Sequence, residues 1–222
     1  DMEGRDGISS WAWDIEALIG NLGDNYKIME CGMKAFPTEA LTHTHLSCLL
    51  NAMINNDLEY TDIKEVQVTC FAQAYDILFD PTKYRPESRE TADHSLPYCL
   101  AAAMVDKKIT TESFSDEKLN DPRIYEVIDK IKGKPSQKFE KMFPAKQPSR
   151  VVVTTNDGRT FEEYLEYPKG DPREPMTMED LENKFNSLVA DKFDSSQKKQ
   201  LKENIFDCEK KSTSEFMENL NV

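Results

Sequence analysis

Basic residues are in short supply: 28 lysines and arginines face 41 aspartates and glutamates, a formal net charge of −13 over 222 residues. Binding a phosphate backbone demands a dominant basic surface, so the charge argues against nucleic acid as a partner. Long apolar runs are lacking too. No stretch approaches the ~20 apolar residues of a membrane span, and no secretory signal is visible, so no membrane partner is expected. The expected compartment is the cytoplasm, or the mitochondrial matrix in a eukaryote whose transit peptide would lie upstream of Asp1. Cysteine is present but unpaired in pattern: Cys31, Cys48, Cys70, Cys99 and Cys208 are odd in number and scattered. No Cys-x-x-Cys spacing offers itself to zinc or an iron-sulfur cluster, so no metal or cofactor is expected. Cys48, Cys70 and Cys99 sit in apolar stretches, where a thiol serves as a small core hydrophobe.

What is there is organised in short blocks. Ile8 to Leu22 places Trp11, Ile15, Leu18, Ile19 and Leu22 at near-helical spacing, with Gly23 as its stop. Leu46, Leu49, Leu50 and Met53 mark a second helix, for which Thr42 or Thr44 is a candidate cap. Asp62 to Phe71 alternates and reads as a strand, and Asp76 to Pro86 reads as a loop. Leu96 to Val105 is a compact alanine-rich helix; Asp121-Pro122 opens another, with Ile124, Val127, Ile128 and Ile131 as its buried face. Lys132 to Ser149, rich in lysine and proline, reads as a surface connection. Two β-rich runs, Arg150 to Thr155 and Thr160 to Tyr167, flank the hairpin signal Asn156-Asp157-Gly158. Thr177 and Asp180 form a capping-box pattern before a helix through Leu181, Phe185 and Leu188. Polar helices near Ser195 to Phe206 and Ser212 to Leu220 complete an α+β chain, a small sheet with helices.

Chemistry concentrates in two places. Arg89-Glu-Thr-Ala-Asp-His-Ser-Leu-Pro-Tyr98 crowds ionisable groups before an apolar helix, and Met33-Lys-Ala-Phe-Pro-Thr-Glu39 with Thr42-His-Thr-His45 repeats the arrangement. All three histidines of the chain, His43, His45 and His94, lie in these segments. His94 is a candidate acid or base. Arg85 and Arg89 offer the fork geometry that carboxylates favour. The bland alternative is structural: Asp93, His94 and Ser95 satisfy backbone groups at a helix start, and Tyr98 fills the core. His43 and His45 lack a nearby carboxylate run to complete a metal site.

These strings, with Asp157-Gly158 and Pro175-Met176-Thr177 to Phe185, resemble the MmgE/PrpD family in order over nearly the whole chain. The resemblance implies a metal-independent hydro-lyase that dehydrates 2-methylcitrate to 2-methyl-cis-aconitate in the methylcitrate cycle of propionate catabolism. Its alternatives are a cis-aconitate decarboxylase-like enzyme and a non-catalytic lid fragment that needs an N-terminal partner. Such chemistry without metal needs cations to hold carboxylates, and acids and bases to move protons. In the family, a lysine before the Phe-Pro turn and a tyrosine in the second segment look like site residues. That casts Lys34, Tyr84 and His94 as catalytic, and Arg85, Arg89, His43 and His45 as substrate-binding. Glu39 departs from the decarboxylases, where a histidine looks aligned. The resemblance further implies that residues 1–28 end a helical domain, 29–172 form an α+β lid-like domain and 173–222 return to the helical domain. Glu3-Gly-Arg-Asp-Gly7 looks like the middle of a protein roughly twice as long, so the chain is expected to be a C-terminal half. Its expected partners are a small tricarboxylate, the N-terminal half of the same enzyme and, for the whole protein, a second copy. The isolated chain is expected to be inactive.

Overall fold

In a computed structural model, residues 16, 19–190, 192–218 and 220 are described. The amphipathic stretch expected over Ile8 to Leu22 lies for the most part outside them. Contacts divide the chain into two compact units, 1–32 and 33–222. In the first, the described residues include a 3-10 turn at Lys27–Glu30. The second is α+β and carries everything that follows.

Its helices, in chain order, are α1 (His43–Asn55), α2 (Ala72–Leu78), α3 (Arg89–Asp93), α4 (Leu96–Asp106), α5 (Asp116–Leu119), α6 (Pro122–Ile128), α7 (Gln137–Glu140), α8 (Met178–Leu188), α9 (Ser195–Phe206) and α10 (Thr213–Glu218). Four strands, β1 (Ile63–Cys70), β2 (Ile131–Pro135), β3 (Ser149–Thr155) and β4 (Thr160–Leu165), form one sheet in the order β2-β1-β3-β4. β1 runs parallel to β2, with Val66 beside Ile131, and antiparallel to β3, with Val66 beside Val153. Period-2 alternation gives the sheet one dry face: Val66, Val68, Val151 and Val153 have no exposed surface.

α1 lies across β3 and β4, and α4 packs on α1, α6 and β2. Leu46, Leu49 and Met53 of α1 are fully buried, each worth roughly 1.5–3 kcal/mol of removal from water. α4 is buried from Leu96 through Met104, so it needs no polar face. Ser95 caps it by accepting from the Tyr98 amide at 3.0 Å, Pro97 sits in its first turn, and Lys107 ends it in the left-handed region at φ 53°.

Several expectations need correction. Lys132 to Ser149 is no plain connection: Ile131 leaves the α6 face to begin β2, and α7 follows. β2 is an edge strand, where lysines and proline are tolerated because one side has no ladder to serve. α2 runs into the start of the stretch read as a loop, ending at Leu78. α1 begins at His43, before Leu46, and Thr42 does not cap it with its side chain. The Thr42 hydroxyl instead donates to the Glu39 carbonyl at 2.7 Å. At the hairpin only Gly158 takes positive φ, +87°, and Asn156 uses its side-chain amide to hold the Thr61 carbonyl at 2.8 Å. The capping box of α8 forms as read, with Thr177 and Asp180 each accepting from the other's amide.

Candidate functional site

The two motif segments meet. The Glu39 amide donates to the Asp93 carbonyl at 3.0 Å, which stitches the turn before α1 to the end of α3. Between them opens a cleft of about 290 Å³, lined by Lys34, Pro37, Thr38, Glu39, Ala40, Asp93 and His94.

One wall is fixed from below. The Lys34 ammonium donates to the Thr38 carbonyl at 2.9 Å, closing its own turn, and the Thr38 hydroxyl is buried against that of Thr42 at 2.7 Å. Lys184 of α8 donates to the Lys34 carbonyl. The Met33 amide donates to the Gly170 carbonyl at 2.8 Å, and the Gly170 amide donates to the Glu174 carbonyl at 2.8 Å. Gly170 takes φ +93°, and a Cβ there would lie 1.9 Å from the Met33 carbonyl oxygen. Only glycine lets the two backbones approach so closely. The loop beneath is braced by Arg173, which pairs with Asp171 at 2.7 Å, donates to the Ala145 carbonyl at 2.6 Å and covers the Tyr167 ring at 4.1 Å.

The other wall is the end of α3. His94 Nδ1 contacts the Asp93 carboxylate and lies 3.1 Å from the Glu90 carbonyl. Both partners accept, so Nδ1 carries the proton and Nε2 is left for proton exchange. A carboxylate-oriented imidazole beside an ammonium can bind an anion and move a proton at one place. One oxygen of Glu39, Oε2, accepts from the Leu41 amide at 2.6 Å.

Of the seven predicted site residues, the cleft brings Lys34 and His94 together. The other five stand elsewhere. His43 and His45 lie inside α1 with 2% and 1% exposure. Burial, helped by the nearby Lys34 and Lys184 ammoniums, pushes His43 down to about 4; burial alone pushes His45 down to about 3. His45 Nδ1 meets the Ser149 hydroxyl of β3 at 2.5 Å, and His43 stacks edge-on to Phe36 at 5.4 Å. The Tyr84 hydroxyl donates to the Ile131 carbonyl at 2.9 Å, and burial raises its titration above the ordinary range. Arg85 forks onto Asp129 at 2.7 and 3.2 Å, and Arg89 is exposed on α3. The structural reading of Ser95 as a cap holds alongside the site reading of its neighbours. Gly170 escaped the sequence reading; the turn signal was there, since Pro168-Lys169-Gly170-Asp171-Pro172 is punctuated on both sides. Among the described residues, no group of three or more His, Cys, Asp or Glu is placed to hold a metal. No described helix is long and apolar enough to cross a membrane.

A sequence model of the MmgE/PrpD C-terminal domain matches residues 36–208, from the Phe-Pro turn to the end of α9 and just beyond. The chain belongs to the MmgE/PrpD family. Among characterised members it is similar to the cis-aconitate decarboxylase of Mus musculus, 32% identical over 111 residues, which is 47% of this chain and 21% of that protein. It is 24% identical to the cis-aconitate decarboxylase of Aspergillus terreus over 195 residues, 85% of this chain and 40% of that protein. The Homo sapiens cis-aconitate decarboxylase is 32% identical over 112 residues, 47% of this chain and 22% of that protein. The chain thus matches less than half the length of these relatives.

Proposed function

We propose that this chain is the C-terminal domain of a lyase acting on a small tricarboxylate, and that the reaction is decarboxylation of cis-aconitate. The observation that carries the reading is the cleft in which Lys34 and the Asp93–His94 pair meet from separate segments. The names of the three relatives support the choice of substrate. The Lys34 ammonium holds a carboxylate and offsets the negative charge that grows as the carbon–carbon bond to the leaving carboxylate breaks. The electron pair left on carbon takes a proton, for which protonated His94 Nε2 is the donor, giving carbon dioxide and an unsaturated dicarboxylate. Remaining acids, bases and carboxylate contacts come from the N-terminal half of the same enzyme, which works as a homodimer; the isolated domain does not turn over.

Glu39 favours a second reading, dehydration of 2-methylcitrate. It places a carboxylate on the cleft wall where a base is needed to remove a proton from carbon, while His94 delivers one to the departing hydroxyl. The intact protein that carries this chain, given cis-aconitate and 2-methylcitrate in separate assays, separates the two. Carbon dioxide release supports decarboxylation, and growth of enediacid absorbance from 2-methylcitrate supports dehydration. Turnover of neither overturns both. In the active case Lys34→Ala lowers kcat/KM by about 100-fold, as loss of a charge-stabilising donor does.

A further inference from the structure

On the other side of the Lys34 turn lies a second, larger groove of about 760 Å³, between α1, the end of α4 and α8. Five lysines line it, Lys34, Lys107, Lys108, Lys169 and Lys184, against two carboxylates, Glu174 and Asp180. On a protein of net charge −13 this is a local reversal of sign. Lys107 and Lys169 are matched by Glu59 at 2.5 Å and Asp180 at 2.6 Å. Lys34 and Lys184 each give one of three N–H groups to a backbone carbonyl, and among the described residues Lys108 has no ion-pair partner. Beneath them Ser47, 8% exposed, lines the groove, and its hydroxyl has no hydrogen-bond partner among the described residues. Such a hydroxyl is costly to bury unless something else binds it. Asn51, one turn further along α1, lines the same floor.

We propose that this groove binds an organic phosphate of nucleotide size. Every cation lining it is a lysine, a compact point charge that phosphate oxygens can accept from. Its volume falls in the range of sites for drug-sized ligands and is far above that of the small cleft, which suits a tricarboxylate. The opposite wall is apolar, with Leu50, Ile54, Leu165, Met176 and Leu188, and gives a base or acyl body a surface to lie on. Phosphates sit on the lysines, Ser47 and Asn51 donate to the ligand, and the apolar body covers the wall.

Equilibrium dialysis of the intact protein with ATP, and separately with inorganic triphosphate, tests this without any turnover. The expected result is saturable ATP binding with Kd below about 1 mM, at least tenfold tighter than triphosphate. Lys108→Glu reverses an exposed charge, and Lys184→Gln keeps a donor for the Lys34 carbonyl while removing charge; each weakens ATP binding by about tenfold. Failure of ATP to saturate overturns the proposal. So do equal affinities for ATP and triphosphate, because the apolar wall then contributes nothing, and ATP binding that is indifferent to both substitutions, because the ligand then sits elsewhere.

Discussion

The two walls of the small cleft carry the same kinds of residue and are held in opposite ways. Lys34 to His45 is rooted in the core: Thr38 is buried, the backbone is pinned by Gly170 and Lys184, and both histidines are sealed inside α1. Arg85 to His94 lies on the surface, with both arginines and His94 exposed. Histidine type and motif membership therefore do not distinguish the three; burial does. A sealed imidazole is neutral and structural, whereas an exposed one beside a carboxylate keeps a nitrogen available for proton transfer.

Acid breaks this comparison most strongly. His43 and His45 have an ordinary value of 6.5 and are pushed down to about 4 and about 3 in the fold. The folded state thus prefers the neutral form. Their contribution is complete above the unfolded value and is lost as pH falls from about 6.5 through the folded values. As upper bounds, these shifts are worth about 3 kcal/mol for His43 and about 5 kcal/mol for His45. The check is the urea midpoint at about pH 7.5 and about pH 5 for wild type, His45→Gln and His94→Gln. His45→Gln flattens the pH dependence, and does so more than His94→Gln. Greater flattening by His94→Gln would reverse the assignment of the two walls.

The next effect concerns the anchor of the rigid wall. Gly158 and Gly170 share a positive φ, +87° and +93°, but a Cβ at Gly158 meets nothing within 4 Å whereas one at Gly170 collides with the Met33 carbonyl. Gly158→Ala costs about 1–2 kcal/mol, the penalty of the left-handed region. Gly170→Ala adds about 1–3 kcal/mol of overpacking and displaces the Lys34 turn. Thermal melts of the two variants should separate by several degrees, and the Lys34 amine should label faster in Gly170→Ala alone. Equal melting shifts and equal labelling would mean that Gly170 does not hold Lys34 in place.

That glycine shows where the sequence stops being legible. The Gly158 turn, the Ser95 cap and the Thr177–Asp180 capping box were readable because partner and signal lie within a few residues. Gly170 answers to Met33, far away in the chain; its flanking prolines announce a turn but not that contact. β2 was hidden for a similar reason: Lys132, Gly133, Lys134 and Pro135 look like a loop, and only pairing with β1 makes them a strand. At the cleft, Lys34 and His94 were recognisable by chemical type and by resemblance. The same reasoning selected Tyr84 and Arg85, whose polar ends are turned to the Ile131 carbonyl and to Asp129, because side-chain direction is set by tertiary packing.

The smallest effects belong to the two arginines of the exposed wall. The Arg85–Asp129 pair is more than half exposed on both sides, at 56% and 61%, so solvent screens it, and Arg85→Ala should cost less than about 1 kcal/mol in denaturant melts. Arg89→Ala, with no ion pair among the described residues, should change stability by less than about 0.5 kcal/mol. Neither side chain lines the cleft, so under the proposed function KM for a tricarboxylate should stay within about threefold of wild type in both variants of the intact protein. A tenfold or larger rise for Arg89→Ala, with stability unchanged, would break the comparison at its weakest point. The guanidinium would then have to swing into the cleft when substrate arrives, and the exposed wall would be one that closes on the ligand while the buried wall stands still.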